Sequence, residues 1–252
     1  MYARPKPLAD LIDRIAPTRR PTGRLAGYQK WRELSFLHWR VPASVLRPLV
    51  PAALELDTFD GECFVGVVPF TMRGVRPWWA PPMPGVSSFH ETNVRTYVHF
   101  AGRDPGVWFF SLEAANRLAV WLARTFWHLP YHHARMTLER RADGARAYDS
   151  VRRDRDAVCR VTCTPSSAPS PAVPGTREHF LAERYVLYAS SPRGLRLGRV
   201  HHVPYPLQTA TVAPAWQESL LAAAGIARAP GEPMAHFATG VDVEVFALEL
   251  IA

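Results

Sequence analysis

The stretch "FHETNVRTYVHFAGRDPGVWFFSL" (residues 89–112) decides the fold class, because two strand-like segments flank a turn. β-branched and aromatic residues, which favour extended strands, dominate both halves. The intervening "AGRDPG" (101–106) concentrates Gly, Asp and Pro, the residues typical of tight turns. The stretch therefore predicts two antiparallel strands.

The first of these strands has an unusual set of side chains. Alternation places Phe89, Glu91, Asn93, Arg95 and Tyr97 on one face. That face is either solvated or lines a polar cavity in which its charges compensate each other. Strand statistics favour the solvated face, whereas the flanking aromatic residues favour a pocket. Both interpretations stay open at the level of sequence.

The remaining chain extends the same β-rich pattern. Further strands are predicted in "WRELSFLHW" (31–39), "ECFVGVVPFTMRGV" (62–75), "ARMTLERR" (134–141), "EHFLAERYVLYAS" (178–190) and "VDVEVFALEL" (241–250). The clearest helix is "EAANRLAVWLARTFWH" (113–128), whose apolar residues Leu118, Val120, Trp121, Leu122 and Phe126 share one broad side. A later helix is predicted over "PAWQESLLAAAG" (214–225), with Pro214 near its start and Gly225 at its end.

No internal repeat or linker divides this pattern. We expect one α+β domain over residues 27–252 with a large antiparallel β component and a few peripheral helices. Residues 1–26, rich in Pro and charge, are expected to form a partly flexible N-terminal extension.

Composition narrows the function classes. The chain has 252 residues, a net charge of +8 and a pI near 9.9, and all its basic residues except Lys6 and Lys30 are arginines. The arginines are scattered and no nucleic-acid-binding motif accompanies them, which argues against a nucleic-acid partner. No apolar run approaches the roughly 18 residues of a membrane span, and no signal-type segment opens the chain, so we expect a cytoplasmic protein. Cys63, Cys159 and Cys163 fit buried thiols better than disulfides or zinc.

The segment "TFWHLPYHHARM" (125–136) allows three interpretations. A metal site is disfavoured because the adjacent His132 and His133 point to opposite sides of a strand. A pocket wall would place Tyr131 and His133 on one side and His132 on the other. Alternatively, histidines such as His128 simply favour the negative end of the preceding helix dipole. No Walker A, G-x-G-x-x-G, G-x-S-x-G or H-E-x-x-H motif occurs, so none of the activities tied to those motifs is predicted.

Several blocks resemble a known family. "WRELSFLHWRVPASVLRPLVPAALELDTFDGECFVGVVPF" (31–70), "FHETNVRTYV" (89–98), "GVWFFSLEA" (106–114), "LPYHHARM" (129–136) and "VHHVPYPLQ" (200–208) occur in the order found in the uncharacterised YqjF-like family. That family is more distantly similar to the acetoacetate decarboxylase superfamily. The resemblance implies an antiparallel β cone or barrel around a central small-molecule cavity.

The distant resemblance also implies site residues. Arg32 in "WREL" matches the superfamily's site arginine, and Glu91 in "FHE" matches its proton-handling glutamate. "ARTFWHLPYHH" places Tyr131 where the Schiff-base lysine belongs and His132 where its neighbour does. Tyrosine cannot form an iminium, so the resemblance implies a cavity without amine catalysis.

The predicted function is therefore acid–base chemistry on a small carbonyl or carboxylate metabolite, and not acetoacetate decarboxylation. The catalytic residues would be Arg32, Glu91, Tyr131 and His132. Asn93, Arg95, His133 and Trp79 would bind substrate, with the Trp78–Trp79 loop acting as a lid. No metal or cofactor is required.

Three alternatives stay open. The chain could bind a small molecule without turnover, Arg32 and Glu91 could form a plain internal ion pair, or Lys30 could supply a substitute amine. Assembly into a homo-oligomer is also left open.

Overall fold

A computed structural model describes residues 12–153, 157–213, 219–227 and 231–252. The strands are β1 (Leu25–Arg40), β2 (Glu55–Leu56), β3 (Phe64–Pro77), β4 (Phe89–Phe100), β5 (Arg103–Ala114), β6 (Tyr131–Arg140), β7 (Arg146–Arg152), β8 (Val158–Pro165), β9 (Val186–Ser191), β10 (Gly194–His201), β11 (Leu207–Val212), β12 (Met234–Phe246) and β13 (Glu249–Leu250). The helices are α1 (Ala43–Leu46), α2 (Arg117–Leu122), α3 (Arg177–Ala182) and α4 (Ser219–Ala223), with 3₁₀ turns at Ala16–Thr18 and Arg47–Leu49 and a π turn at Ala123–Trp127. The β-rich fold with few helices is confirmed.

The strand pairings close on themselves. Starting from β4, the order β4–β5–β9–β10–β12–β1–β3 returns to β4. A second set of strands, β6–β7–β8–β11, connects β5 to β12. The large antiparallel component is confirmed, although β5 runs parallel to both β6 and β9. The first parallel pair follows from the crossover through α2, which returns the chain to the same end of the sheet.

Strand β4 is buried on both faces. Residues Glu91 to His99 are all shielded from solvent. One face, which we call the inner face, carries Glu91, Asn93, Arg95 and Tyr97 and packs against α3 and β1. On the other face Val94 belongs to a cluster with Leu37, Trp39, Val65 and Val67. The interpretation of the inner face as a solvated surface is therefore wrong.

Helix α3 occupies a stretch that the sequence predicts as strand. "EHFLAERYVLYAS" forms α3 followed by β9. Thr176 caps the helix by accepting the backbone N–H of His179. The helix buries four of its six residues, including Phe180 and Leu181, so its apolar run packs against the inner face instead of pairing in a sheet.

The helix predicted over 113–128 is shorter and less buried than expected. Only α2 and the π turn are helical, and Asn116 caps α2 by accepting the N–H groups of Leu118 and Ala119. Trp121 is 57% and Phe126 62% exposed, and of the predicted apolar side only Val120 is buried. The apolar side of the predicted helix is therefore largely exposed. Of the later helix, α4 ends at Ala223, two residues before Gly225, whereas Pro214 lies outside the described residues.

Part of the N-terminal extension contacts the domain. Residues 1–11 lie outside the described part, but Ile12 is buried and Arg14 binds Asp57. Asp57 also accepts a hydrogen bond from Arg184, at 2.7 Å, and both of these side chains are buried. The Phe180 ring contacts both guanidinium groups, with its centroid 5.2 Å from that of Arg14 and 4.1 Å from that of Arg184.

Candidate functional site

Glu91 and Tyr131 form the chemical centre of the inner face. The Tyr131 hydroxyl donates a hydrogen bond to Glu91 Oε2 at 2.7 Å, and the two residues are only 2% and 7% exposed. Strand β5 lies between their strands, and Ala114 stands opposite Glu91 in it. The single methyl group of Ala114 leaves room for the tyrosine ring to reach across β5.

The surroundings of Glu91 keep it protonated. Burial raises its pKa to about 8, the hydrogen bond from Tyr131 acts in the opposite direction, and the nearby charge of Glu113 raises it further. Burial also raises the pKa of Tyr131 well above its usual range, and the adjacent Glu91 adds to this effect. At neutral pH the pair therefore consists largely of a carboxylic acid and a neutral phenol, an arrangement that can release or accept a proton.

Arg32 does not contact this pair. Its guanidinium donates to the backbone carbonyls of Trp31 and Val241 and forms an ion pair with the exposed carboxylate of Asp242. Lys30 is exposed and lies 3.8 Å from the same carboxylate. The alternative of an Arg32–Glu91 ion pair is therefore wrong, and Lys30 lies outside the inner face.

Arg95, and not Arg32, places a positive charge at the inner face. Its Nη2 donates to the Leu181 carbonyl at 3.2 Å, and its guanidinium lies 5.7 Å from the Phe36 ring centroid and 5.9 Å from that of Tyr97. Within the described chain it forms no ion pair with a carboxylate, and its Nε and the neighbouring Asn93 Oδ1 have no hydrogen-bond partner. A buried guanidinium without a counter-ion is costly, and binding an anion would offset that cost.

His132 and Trp79 lie off the inner face, whereas His133 shares the Tyr131 side of β6. His132 stands opposite Glu113 in the β5–β6 register and so projects to the face opposite Tyr131. His133 is partly buried beside Ala114 in that register, and burial lowers its pKa, assisted by the charges of Arg153 and Arg117. Trp79 is 72% exposed in a surface turn and does not contact the inner face. Of the eight predicted residues the structure thus brings together Glu91, Tyr131, Asn93 and Arg95.

Sequence reasoning missed several polar residues that adjoin this face. His38 bonds Tyr97 through Nε2 at 2.7 Å, and Tyr185 donates to Glu183 Oε2 at 2.6 Å. His202 stacks on Tyr185 with ring centroids 4.4 Å apart. The alternation of Phe36 and His38 in β1 was a usable signal, whereas the "VHHVP" pair gave no sign that His202 is buried.

Among the described residues no metal centre lies at the predicted positions, and the central cavity stays a prediction. No group of three potential ligand side chains occurs among the described residues, where the three cysteines are buried free thiols. An open apolar groove of about 380 Å³ lies beside His128, Pro130, Trp108 and Tyr188, and none of the eight predicted residues lines it. None of the helices in the described ranges could span a membrane.

Solved structures are similar in fold. The enduracididine biosynthesis enzyme MppR complexed with pyruvate superposes with a TM-score of 0.66 at 13% identity, covering 93% of each chain. An acetoacetate decarboxylase from Legionella pneumophila superposes with a TM-score of 0.63 at 13% identity, covering 100% of this chain and 98% of its own. These similarities establish the acetoacetate decarboxylase-like fold.

Sequence comparison identifies closer relatives. The uncharacterised protein YqjF of Bacillus subtilis (strain 168) is 39% identical over 215 residues, which cover 85% of this chain and 88% of YqjF. The family model of an uncharacterised conserved protein, DUF2071, matches residues 28–242. The chain therefore belongs to the DUF2071 family of uncharacterised conserved proteins.

Proposed function

We propose that this protein is a small-molecule enzyme that moves protons on a small carbonyl or carboxylate compound without a Schiff base. The observation that carries the proposal is the buried Glu91, whose carboxyl group has a pKa of about 8 and is held by the Tyr131 hydroxyl. A carboxyl group that titrates near neutrality is suited to general acid–base catalysis.

Arg95 is the proposed anchor for the substrate's carboxylate. It lies four residues from Glu91 on the same face of β4, which separates their Cα atoms by roughly 13 Å at about 3.3–3.4 Å per residue. Asn93 lies midway between them. A compound of a few carbons could therefore bond to the guanidinium at one end and present its reacting carbon to Glu91 at the other.

Tyr131 would assist both protonation states of Glu91. It donates to the carboxylate that forms when Glu91 gives up its proton, and its own raised pKa keeps it protonated throughout. Similarity in fold to an enzyme crystallised with pyruvate supports a small oxo acid as the first compound to test. The tyrosine at the superfamily's lysine position argues against acetoacetate decarboxylation.

Solvent deuterium exchange tests this proposal. Pyruvate and related oxo acids are incubated with the protein in deuterium oxide, and exchange at the carbon next to the carbonyl is followed by NMR. We expect exchange that falls at least 100-fold in Glu91→Gln, since a positioned acid or base contributes about 10²–10⁴-fold. Wild-type protein that binds these acids but neither exchanges nor converts them would contradict the enzyme hypothesis.

The second candidate is a binding protein that uses the same residues without turnover. The uncompensated charge of Arg95 favours it, because anion binding needs no proton transfer. Under this hypothesis Arg95→Met abolishes binding, whereas Glu91→Gln changes nothing beyond affinity. A cytoplasmic location and assembly into a homo-oligomer stay predictions.

A further inference from the structure

Several buried hydrogen-bonding atoms beside the inner face have no partner within the described chain. Three buried side-chain acceptors, Asn93 Oδ1, His38 Nδ1 and His202 Nε2, have no partner among the described residues. Arg95 Nε and Arg184 Nη2, the latter beside the Tyr97 ring, are unpartnered donors of the same region. Buried acceptors without partners cost free energy, so the nature of the missing donors carries information about a ligand.

The tautomer of His38 follows from its neighbour Tyr97. The Tyr97 hydroxyl has one hydrogen, and it is donated to the Leu181 carbonyl at 2.7 Å, because a carbonyl can only accept. The 2.7 Å contact between His38 Nε2 and the same hydroxyl then requires that Nε2 carry the proton. Burial and the charge of Arg95 lower the pKa of His38 well below its usual range, so the ring is neutral. Nδ1 is therefore a bare acceptor.

The tautomer of His202 is fixed in the same way. Its Nδ1 lies 2.7 Å from the backbone carbonyl of Val203 and must be the donor. Burial lowers the pKa of His202 to about 4, and a neutral imidazole has only one N–H. Nε2 is therefore a second acceptor without a partner in the described ranges. The centroid of the His202 ring lies 4.4 Å from that of Tyr185 and 4.6 Å from that of Tyr205.

Packed side chains link each imidazole to Arg95. An added methyl group at Gly66 would lie 3.1 Å from His38 Nε2 and 3.4 Å from Arg95 Cγ, so His38 and Arg95 meet over this glycine. On the other side, the Tyr205 ring next to His202 lies 5.2 Å from Phe36, whose ring lies against the Arg95 guanidinium. A ligand held by Arg95 thus lies beside His38, and His202 lies beyond the Phe36 and Tyr205 rings.

We infer that the ligand is a hydroxycarboxylic acid, with its carboxylate on Arg95 and its hydroxyl hydrogens donated to His38 Nδ1, His202 Nε2 or Asn93 Oδ1. The inference rests on the proposed role of Arg95 as the carboxylate anchor. A simple oxo acid supplies only acceptors and leaves all three groups unpaired, whereas each hydroxyl supplies one donor. A site built to bond a hydroxyl discriminates strongly against the analogue that lacks it.

Matched pairs of acids provide the test. Binding of lactate against propionate, and of malate against succinate, is measured by isothermal titration calorimetry at pH 7. We expect at least one hydroxy acid to bind tenfold or more tightly than its partner. Equal affinities within both pairs would overturn this inference and leave the proposed function standing. No binding by any acid, pyruvate included, would overturn both.

Matched variants then identify the acceptor that reads the hydroxyl. His202→Phe keeps an aromatic ring but removes Nε2, whereas His202→Gln keeps an acceptor near that position. His38→Gln keeps a donor towards Tyr97 but removes the Nδ1 acceptor, which His38→Asn retains. We expect His202→Phe or His38→Gln to reduce the preference for the hydroxy acid about tenfold. The matched variants that keep the acceptor, His202→Gln and His38→Asn, should retain the preference. Thermal unfolding checks that each variant folds, and a preference unchanged in both folded variants would overturn the role of the imidazoles.

Discussion

The hydroxyl of Tyr131 lies 2.7 Å from Glu91 Oε2 and reaches it across the intervening strand β5. Of the influences on the pKa of Glu91, this hydrogen bond is the one that lowers it. Tyr131→Phe should therefore raise the pKa of Glu91 above about 8. The carboxyl ¹³C shift of Glu91, assigned with Glu91→Gln and followed against pH by NMR, measures the change. Tyr148→Phe is the matched control, because Tyr148 is a buried tyrosine that bonds Thr71 and the Glu33 carbonyl instead. A pKa that falls in Tyr131→Phe would contradict the assignment.

Glu91 should also make the folded state less stable as the pH rises. The carboxyl group loses its proton near pH 4.5 in the unfolded chain but only near pH 8 in the folded one. Between these values the folded state binds the extra proton, so the contribution of Glu91 is fully present below about pH 4.5 and is lost as the pH rises to 8. Each pKa unit corresponds to about 1.4 kcal/mol, so Glu91→Gln should gain several kcal/mol relative to wild type between pH 5 and pH 8.

Urea unfolding at both pH values measures this difference. Other titrating groups are common to both proteins and cancel in the comparison. The control is Glu62→Gln, which alters a carboxylate in the exposed ion pair with Arg40 and should show little pH dependence between 5 and 8. If wild type and Glu91→Gln respond identically to pH, the carboxyl group of Glu91 does not have a raised pKa.

The buried ion pair of Asp57 and Arg184 should be sensitive to the loss of one partner. Arg184→Met leaves the Asp57 carboxylate with only the half-exposed Arg14, and we expect a loss of about 3–5 kcal/mol in the free energy of unfolding. Arg40→Met in the exposed pair should cost no more than about 1 kcal/mol. Chemical denaturation of both variants checks the ranking. Equal losses would show that Asp57 gains little from Arg184.

Acetoacetate should not be decarboxylated. Tyr131 cannot form an iminium, and Lys30 is exposed beside Asp242. Incubation with acetoacetate and borohydride should add no mass to the protein, and no CO₂ should be released. An authentic acetoacetate decarboxylase treated in parallel is the positive control. Mass added at Lys30, and absent in Lys30→Arg, would restore the substitute-amine hypothesis.

The sequence predicts which side chains share a face better than it predicts what covers that face. The alternation in β4 correctly groups Glu91, Asn93 and Arg95, because the two-residue period is a property of the strand itself. That these polar groups are buried depends on α3, which arrives from a distant part of the chain. Since "EHFLAERYVLYAS" has the apolar density of a strand, nothing local predicts that helix.

Arg32 and α2 illustrate the same limit. Motif spacing points to Arg32, but its orientation is set by Asp242, more than two hundred residues away. The apolar side of α2 follows helical periodicity, yet periodicity does not tell whether a partner surface exists for Trp121 and Phe126. The Tyr131–Glu91 contact joins two positions that the family resemblance had already singled out, although their hydrogen bond required the closed strand order.

The contact of Arg14 with Asp57 changes where the folding unit begins. The main sheet starts at Leu25, but the carboxylate that holds Arg184 also binds Arg14, and Ile12 is shielded from solvent as well. A chain that began at Leu25 would keep every strand and still lose Arg14, one of the two cations that bind Asp57 and contact Phe180. The contacts that support the fold therefore begin upstream of its first strand.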